Sequence, residues 1–163
     1  MAELGQLRDD DEYRAVRFER RYPATPEAVW AALTDPDKLR RWLAQAVRFD
    51  NKVGGSVDLR FGDEPDQVAQ GSILAYEQPR LLEYEWHWPG QTSSSVRFEL
   101  TAESDGTLLI VDHRGLPRDA TVGYAAGWHA YLDQLAAHFG EDGATWDERF
   151  ADLLPRYHEL ATG

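Results

Sequence analysis

Five histidines and no cysteine set the limits of the chemistry this chain can carry. Without a thiol there are no thiolate nucleophiles, disulfides or cysteine-ligated metals. His87, His113, His129, His138 and His158 show no His-x-x-x-His or comparable spacing, so no metal centre is expected. A Gly-x-Ser-x-Gly elbow, a phosphate loop and a dinucleotide fingerprint are all missing, and Ser93-Ser94-Ser95 reads as a polar strand start. Asp112 and His113 are adjacent, but consecutive strand residues point to opposite faces and do not form a catalytic pair. What remains is aromatic: six Trp, seven Tyr and six Phe. Tyr84, Trp86 and Trp88 fall at every second position, Phe98 lies on the run that follows, and Tyr124, Trp128 and Tyr131 recur at helical spacing. Large rings that fail to interdigitate leave an apolar void, which is what a pocket for a small hydrophobic molecule requires.

Three further residues are candidates for that pocket. Alternation with Leu109 and Val111 turns His113 inward, where it either hydrogen-bonds a ligand's polar head or is satisfied by backbone. Trp42, between the short helices and the next strand, is placed as a cavity-mouth residue. Arg20 shares a strand face with Phe18 and Tyr22, and either neutralises a ligand carboxylate or forms a surface ion pair.

The elements that would position these groups follow from period and punctuation. Residues 13 to 22 alternate as a strand. Thr25-Pro26 and Asp35-Pro36 each combine a capping side chain with a proline at the first helical position, so two short helices follow in succession. Gly54-Gly55 opens a strand carrying Val57, Leu59 and Phe61, and the polar stretch from Gly62 to Asp66 turns the chain back. Further strands carry Leu82 to Trp88, Val96 to Leu100 and Thr107 to Arg114, the last with apolar residues on both faces and its register open. Residues 119 to 139 form one long helix that Gly140 ends. Thr145 and Glu148 make a capping-box pattern for a short helix that Pro155 interrupts or kinks. The order is α+β: a curved antiparallel sheet of about six to seven strands wraps the long helix, with two short helices between the first strands.

Composition restricts partners. A net charge of −12 repels nucleic acid and anionic membrane surfaces. No run of apolar residues is long enough for a membrane span. The polar leader, residues 1 to 12, ends in Asp9-Asp10-Asp11-Glu12 and does not resemble a signal peptide, so a cytoplasmic protein is expected. That acidic run and Glu141-Asp142 read as solvated surface.

The series Pro23-Ala24-Thr25-Pro26-Glu27-Ala28-Val29-Trp30, Leu33-Thr34-Asp35-Pro36, Leu39-Arg40-Arg41-Trp42, Gly54-Gly55, Gly71-Ser72-Ile73-Leu74, Pro79-Arg80-Leu81-Leu82, His113-Arg114-Gly115-Leu116-Pro117 and Gly127-Trp128 resembles the START-related SRPBCC superfamily. Within it, the branch homologous to activators of heat-shock chaperone ATPases is the nearest. The resemblance implies the helix-grip fold of the Bet v 1-like proteins over residues 13 to 140, with residues 141 to 163 a helical extension. It also implies a small hydrophobic ligand between sheet and helix, and the residues read from period and spacing as its site are Trp42, Tyr84, Trp86, Trp88, Phe98, His113, Tyr124, Trp128 and Tyr131, with no metal or cofactor expected.

Two other functions are weighed against binding. Polyketide cyclases and aromatases share the fold, and such chemistry here would fall to His113, Tyr84 and Tyr131. The family name points to a chaperone partner, and a homodimer is a further possibility. Chaperone-binding relatives carry a separate preceding domain, for which the residues ahead of the first strand leave no room, so chaperone activation is not expected.

Overall fold

The computed structural model describes residues 3–141 and 143–162. Asp142, half of the acidic pair expected at the surface, lies outside the described residues, as do Met1 and Ala2 of the leader. Within β2 (Tyr13–Tyr22), Val16, Phe18, Arg20 and Tyr22 are buried at every second position, as the alternation predicts. Thr25 then starts α1 (Pro26–Thr34), its hydroxyl oxygen accepting the Ala28 N–H at 3.2 Å. Asp35 ends that helix and caps the next, α2 (Pro36–Trp42), by accepting the Asp37 N–H at 3.0 Å. One residue serving both ends leaves no room for a loop, so the pair forms a bend.

Six strands follow: β3 (Ala46–Phe49), β4 (Ser56–Arg60), β5 (Val68–Glu77), β6 (Leu81–Trp86), β7 (Ser94–Glu103) and β8 (Gly106–Leu116). With β1 (Gln6–Asp10) and β2 they make one eight-stranded antiparallel sheet in the order β1-β2-β8-β7-β6-β5-β4-β3. The helices α1 and α2 carry the chain from β2 across to β3 on the far edge. At the β7–β8 hairpin Gly106 has φ +151°, and a Cβ there would come within 2.0 Å of the Tyr22 carbonyl oxygen, so the turn requires glycine.

The sheet has eight strands against the six to seven expected, and β1 and β3 are the two that show no pattern in the sequence. The segment Gln6–Asp10, read as part of a polar leader, pairs along β2 from Gln6 opposite Arg17 to Asp10 opposite Tyr13. Its one large apolar residue, Leu7, gives no alternation to read, and backbone pairing alone defines it. The four residues of β3 are too few to show a period. In β8 the register resolves with Leu109, Val111 and His113 inward, while Leu108 and Ile110 stay partly exposed on the outer face.

A short turn of 3-10 helix (Arg118–Ala120) leads into α3 (Thr121–His138), which fills the concave face of the sheet. Tyr22 donates its hydroxyl to the Leu132 carbonyl at 3.0 Å, and the Phe18 and His129 rings meet edge to face at 6.1 Å. Arg20 is buried too, donating to the carbonyls of Glu19 and Glu3 and lying over the Phe18 ring. It forms neither the surface ion pair nor the ligand contact expected of it.

Pro155 does not stop α4 (Trp146–Thr162). The carbonyl it leaves without a donor belongs to Ala151, on the exposed side of the helix and open to solvent. Leu153 and Tyr157 on either side are fully buried and hold the helix down. The Tyr157 hydroxyl accepts the Gly5 N–H at 2.7 Å and so donates its own proton to His129 Nδ1 at 2.8 Å, joining the N-terminal segment, α3 and α4. Arg149 adds a two-pronged contact to Asp133 at 2.7 and 2.9 Å.

Tyr157→Phe leaves two buried polar groups without partners, each costing about 1–3 kcal/mol. For a chain of this length we expect the melting temperature to fall by about 2–4 °C per kcal/mol lost, measured calorimetrically. An unchanged melting temperature would show that the hydroxyl contributes nothing to the join.

Candidate functional site

The space between sheet and α3 is filled along most of its length. Tyr84 and Phe98 lie 5.9 Å apart ring to ring, Phe98 meets Trp128 at 5.9 Å, and Tyr84 meets Phe49 edge to face. At the N-terminal end of α3 the packing opens into a cavity of about 590 Å³. Ala120, Gly123 and Gly127 line it there, one helical turn apart, and supply almost no side-chain volume. Phe61 after β4, Trp86 at the end of β6, and Trp88 and Gln91 in the β6–β7 connection form the sheet side. Tyr124, Trp128 and Tyr131 come from α3, and Trp146, Asp147 and Phe150 from the first turns of α4. Gln67, ahead of β5, completes the rim.

The rings contact one another in a continuous series. Phe61 lies 5.7 Å from Trp86, 5.8 Å from Trp88 and 5.9 Å from Tyr131. Tyr131 meets Trp146 at 5.1 Å, and Trp146 stacks on Phe150 at 4.8 Å. The Trp146 indole N–H donates to the Gly127 carbonyl at 3.3 Å, which fixes α4 as a wall.

Beneath the cavity floor runs a chain of buried hydrogen bonds. The Trp128 indole N–H donates to His113 Nδ1 at 2.9 Å. That nitrogen must therefore be unprotonated, so Nε2 carries the proton and donates to Ser94 Oγ at 2.8 Å. Ser94 in turn donates to the Trp86 carbonyl at 3.0 Å. Both ring nitrogens of His113 are thus occupied, and burial lowers its pKa to about 3. Burial also pushes the Tyr124 phenol up to about 12, a rise that the adjacent Trp86 N–H opposes. That N–H is buried and reaches no acceptor in good hydrogen-bonding geometry. Tyr124 donates to Gln91 Oε1 at 2.8 Å.

Of the nine residues expected at a ligand site, the fold brings Trp86, Trp88, Tyr124, Trp128 and Tyr131 to the cavity. The other four are elsewhere. Trp42 is not at a mouth but in the core under α1, donating to the Ala32 carbonyl at 2.8 Å. Tyr84 and Phe98 are one strand-turn deeper, spent in ring packing, and burial raises the Tyr84 phenol well above its ordinary value. His113 acts behind the wall instead of on a ligand. Of the three residues suggested for acid–base work, Tyr131 alone reaches the cavity, and desolvation followed by the charge of Asp147 raises its pKa. The side chains of Phe61, Gln67, Gln91, Trp146, Asp147 and Phe150 also line the cavity and were not expected there. The capping-box pattern at Thr145 and Glu148 located α4 but could not say that its first turn faces a cavity.

Among the described residues no helix is long and apolar enough to cross a membrane, and no cluster of His, Asp and Glu is arranged to hold a metal ion. A family model described as "Activator of Hsp90 ATPase homolog 1-like protein" matches residues 23–140. Curated proteins give no match. The solved structures give several. CalU16 from Micromonospora echinospora is 28% identical with a TM-score of 0.80, over 98% of each chain. A protein encoded by gene BPP1335 of Bordetella parapertussis is 30% identical with a TM-score of 0.75, over 97% of this chain and 91% of its own. DynU16, a protein of the dynemicin biosynthetic locus, is 26% identical with a TM-score of 0.69, over 79% of this chain and 47% of its own.

The neutral buried histidines make stability depend on pH. His113 is held to about 3, and His129, lowered chiefly by burial, to about 4, both below the ordinary 6.5. Between those values the unfolded chain binds protons that the folded chain refuses, so this stability is present above the ordinary value and lost as pH falls. The loss is of order 2 kcal/mol per histidine from about pH 7 to about pH 5. Urea unfolding at the two pH values measures it, and equal stabilities would show that neither ring is kept neutral.

Proposed function

The chain belongs to the Activator of Hsp90 ATPase homolog 1-like family, and from that premise we propose that it is a binding module for a small hydrophobic molecule, a lipid or an aromatic metabolite. One observation carries the reading: eight aromatic side chains line an open-mouthed space of about 590 Å³ with Gln67, Gln91 and Asp147 as the polar groups. That volume lies in the range of roughly 300–1,000 Å³ usual for small-molecule sites, and an apolar lining with few polar groups is their usual character. The likeness to DynU16, from a biosynthetic locus, supports a small organic occupant.

Binding is favoured over cyclase-type catalysis by the state of the candidate groups. His113 is fully engaged, Tyr84 is in the core, and burial keeps the Tyr131 phenol protonated. A chaperone contact or a homodimer would use outer surfaces and draws no support from the cavity. An acidic chain free of cysteine suits a cytoplasmic setting.

Gly123 offers a test that separates cavity from fold. A Cβ added there meets nothing within 4 Å, so Gly123→Leu puts a side chain at the cavity mouth without backbone strain. Removing a helical glycine adds up to about 1 kcal/mol of stability. We expect lipids and aromatic metabolites to raise the wild-type melting temperature, Gly123→Ala to retain that response, and Gly123→Leu to lose it while folding normally. No response from wild type across the panel, together with no co-purifying mass in native mass spectrometry, would refute the reading.

A further inference from the structure

The charges around the cavity are as one-sided as its rings are numerous. Among the described residues none that lines it is Lys, Arg or His, and Asp147 is the one carboxylate. Asp147 takes part in no ion pair with another described residue, whereas Arg149, two positions along the same helix, is paired with Asp133 and Asp152. Asp147 is exposed at the rim beside Trp146, near enough to Tyr131 for its charge to help hold that phenol protonated.

The other polar groups do not offset this charge. Gln67 Oε1 accepts the Glu64 N–H and Gln91 Oε1 accepts the Tyr124 hydroxyl, leaving uncharged amide N–H groups. The Trp86 N–H is sealed from solvent behind the cavity surface. An anionic ligand would therefore face Asp147 with no basic side chain to answer it.

The rings add to the same preference. Tyr131 is inclined at 49° to Phe61, 70° to Trp128 and 36° to Trp146, so the ring faces are turned in several directions about the space. Aromatic faces carry negative charge density and attract cations, more strongly where water is excluded. The net charge of −12 draws cations toward the molecule as a whole.

We infer that the ligand of this cavity is a hydrophobic cation: a ring-sized apolar body lying among the aromatic side chains and carrying a protonated amine or quaternary ammonium head at Asp147 and Tyr131. The inference rests on reading the cavity as a small-molecule site and adds the sign of the ligand's charge. Fatty acids and other carboxylates are then poor occupants.

Three probes with one aromatic body test it by calorimetric titration: naphthylmethyl-trimethylammonium, naphthylmethanol and naphthylacetate. The cation should bind about tenfold more tightly than the alcohol, and the acetate most weakly. Asp147→Asn, at an exposed position, should reduce the cation's affinity relative to the alcohol's severalfold, and an undiminished preference for the cation would overturn the role given to Asp147. An alcohol or acetate that binds as tightly as the cation would overturn the inference and leave the cavity reading in place. If none of the three binds and the lipid and metabolite panel is silent as well, both readings fall together.

Discussion

The hydrogen bond from the Trp128 indole to His113 Nδ1 joins the long helix to the centre of the sheet, and much of the structure is arranged to keep it dry and satisfied. Neither group can be buried alone, because a polar atom taken from water without a partner costs as much as several packing contacts return. The pairing fixes the histidine tautomer, the tautomer orients Ser94, and Ser94 holds the carbonyl of Trp86. Two of the cavity's tryptophans are thereby set by one buried chain of donors. Burial then stabilises the neutral imidazole that the chain requires.

The cavity exists because the helix that fills the sheet runs short of side-chain volume at its start. Ala120, Gly123 and Gly127 face a sheet region that supplies Phe61, Trp86 and Trp88, and the space left between them is closed by α4 and not by further core residues. That closing helix lies beyond the part of the chain the family model matches. It is held through Tyr157, His129 and Gly5, and through Arg149 on Asp133, so the wall of the cavity depends on contacts well away from it. A change at Gly5, just ahead of β1, can therefore reach the site through the Tyr157 hydroxyl.

A ligand site made of rings and a single carboxylate differs physically from one made for anions. Its selectivity comes from what is missing, a basic side chain, as much as from what is present. Three arginines are engaged elsewhere, Arg20 in the core and Arg97 and Arg114 on the outer sheet face with Glu83, Glu99 and Asp112.

While β8, apolar on both faces, took its register from its neighbours β2 and β7, the helix starts at Thr25 and Asp35, the inward faces of β2, β6 and β7, the long helix and the aromatic character of the interior are legible along the chain. Those features are local: a cap, a period of two and a period of 3.6 can be read from neighbours in the chain. That Tyr84 and Phe98 pack solidly while Trp86 and Trp88, further along the same face, border a cavity was settled by the folded arrangement. It likewise decided that His113 is spent on Trp128, that Trp42 turns to Ala32, and that Trp146 and Phe150 complete the wall. The reason is that burial, and the difference between a filled space and an open one, depend on which distant side chains arrive, and on the volume glycine leaves, and neither has any period along the chain.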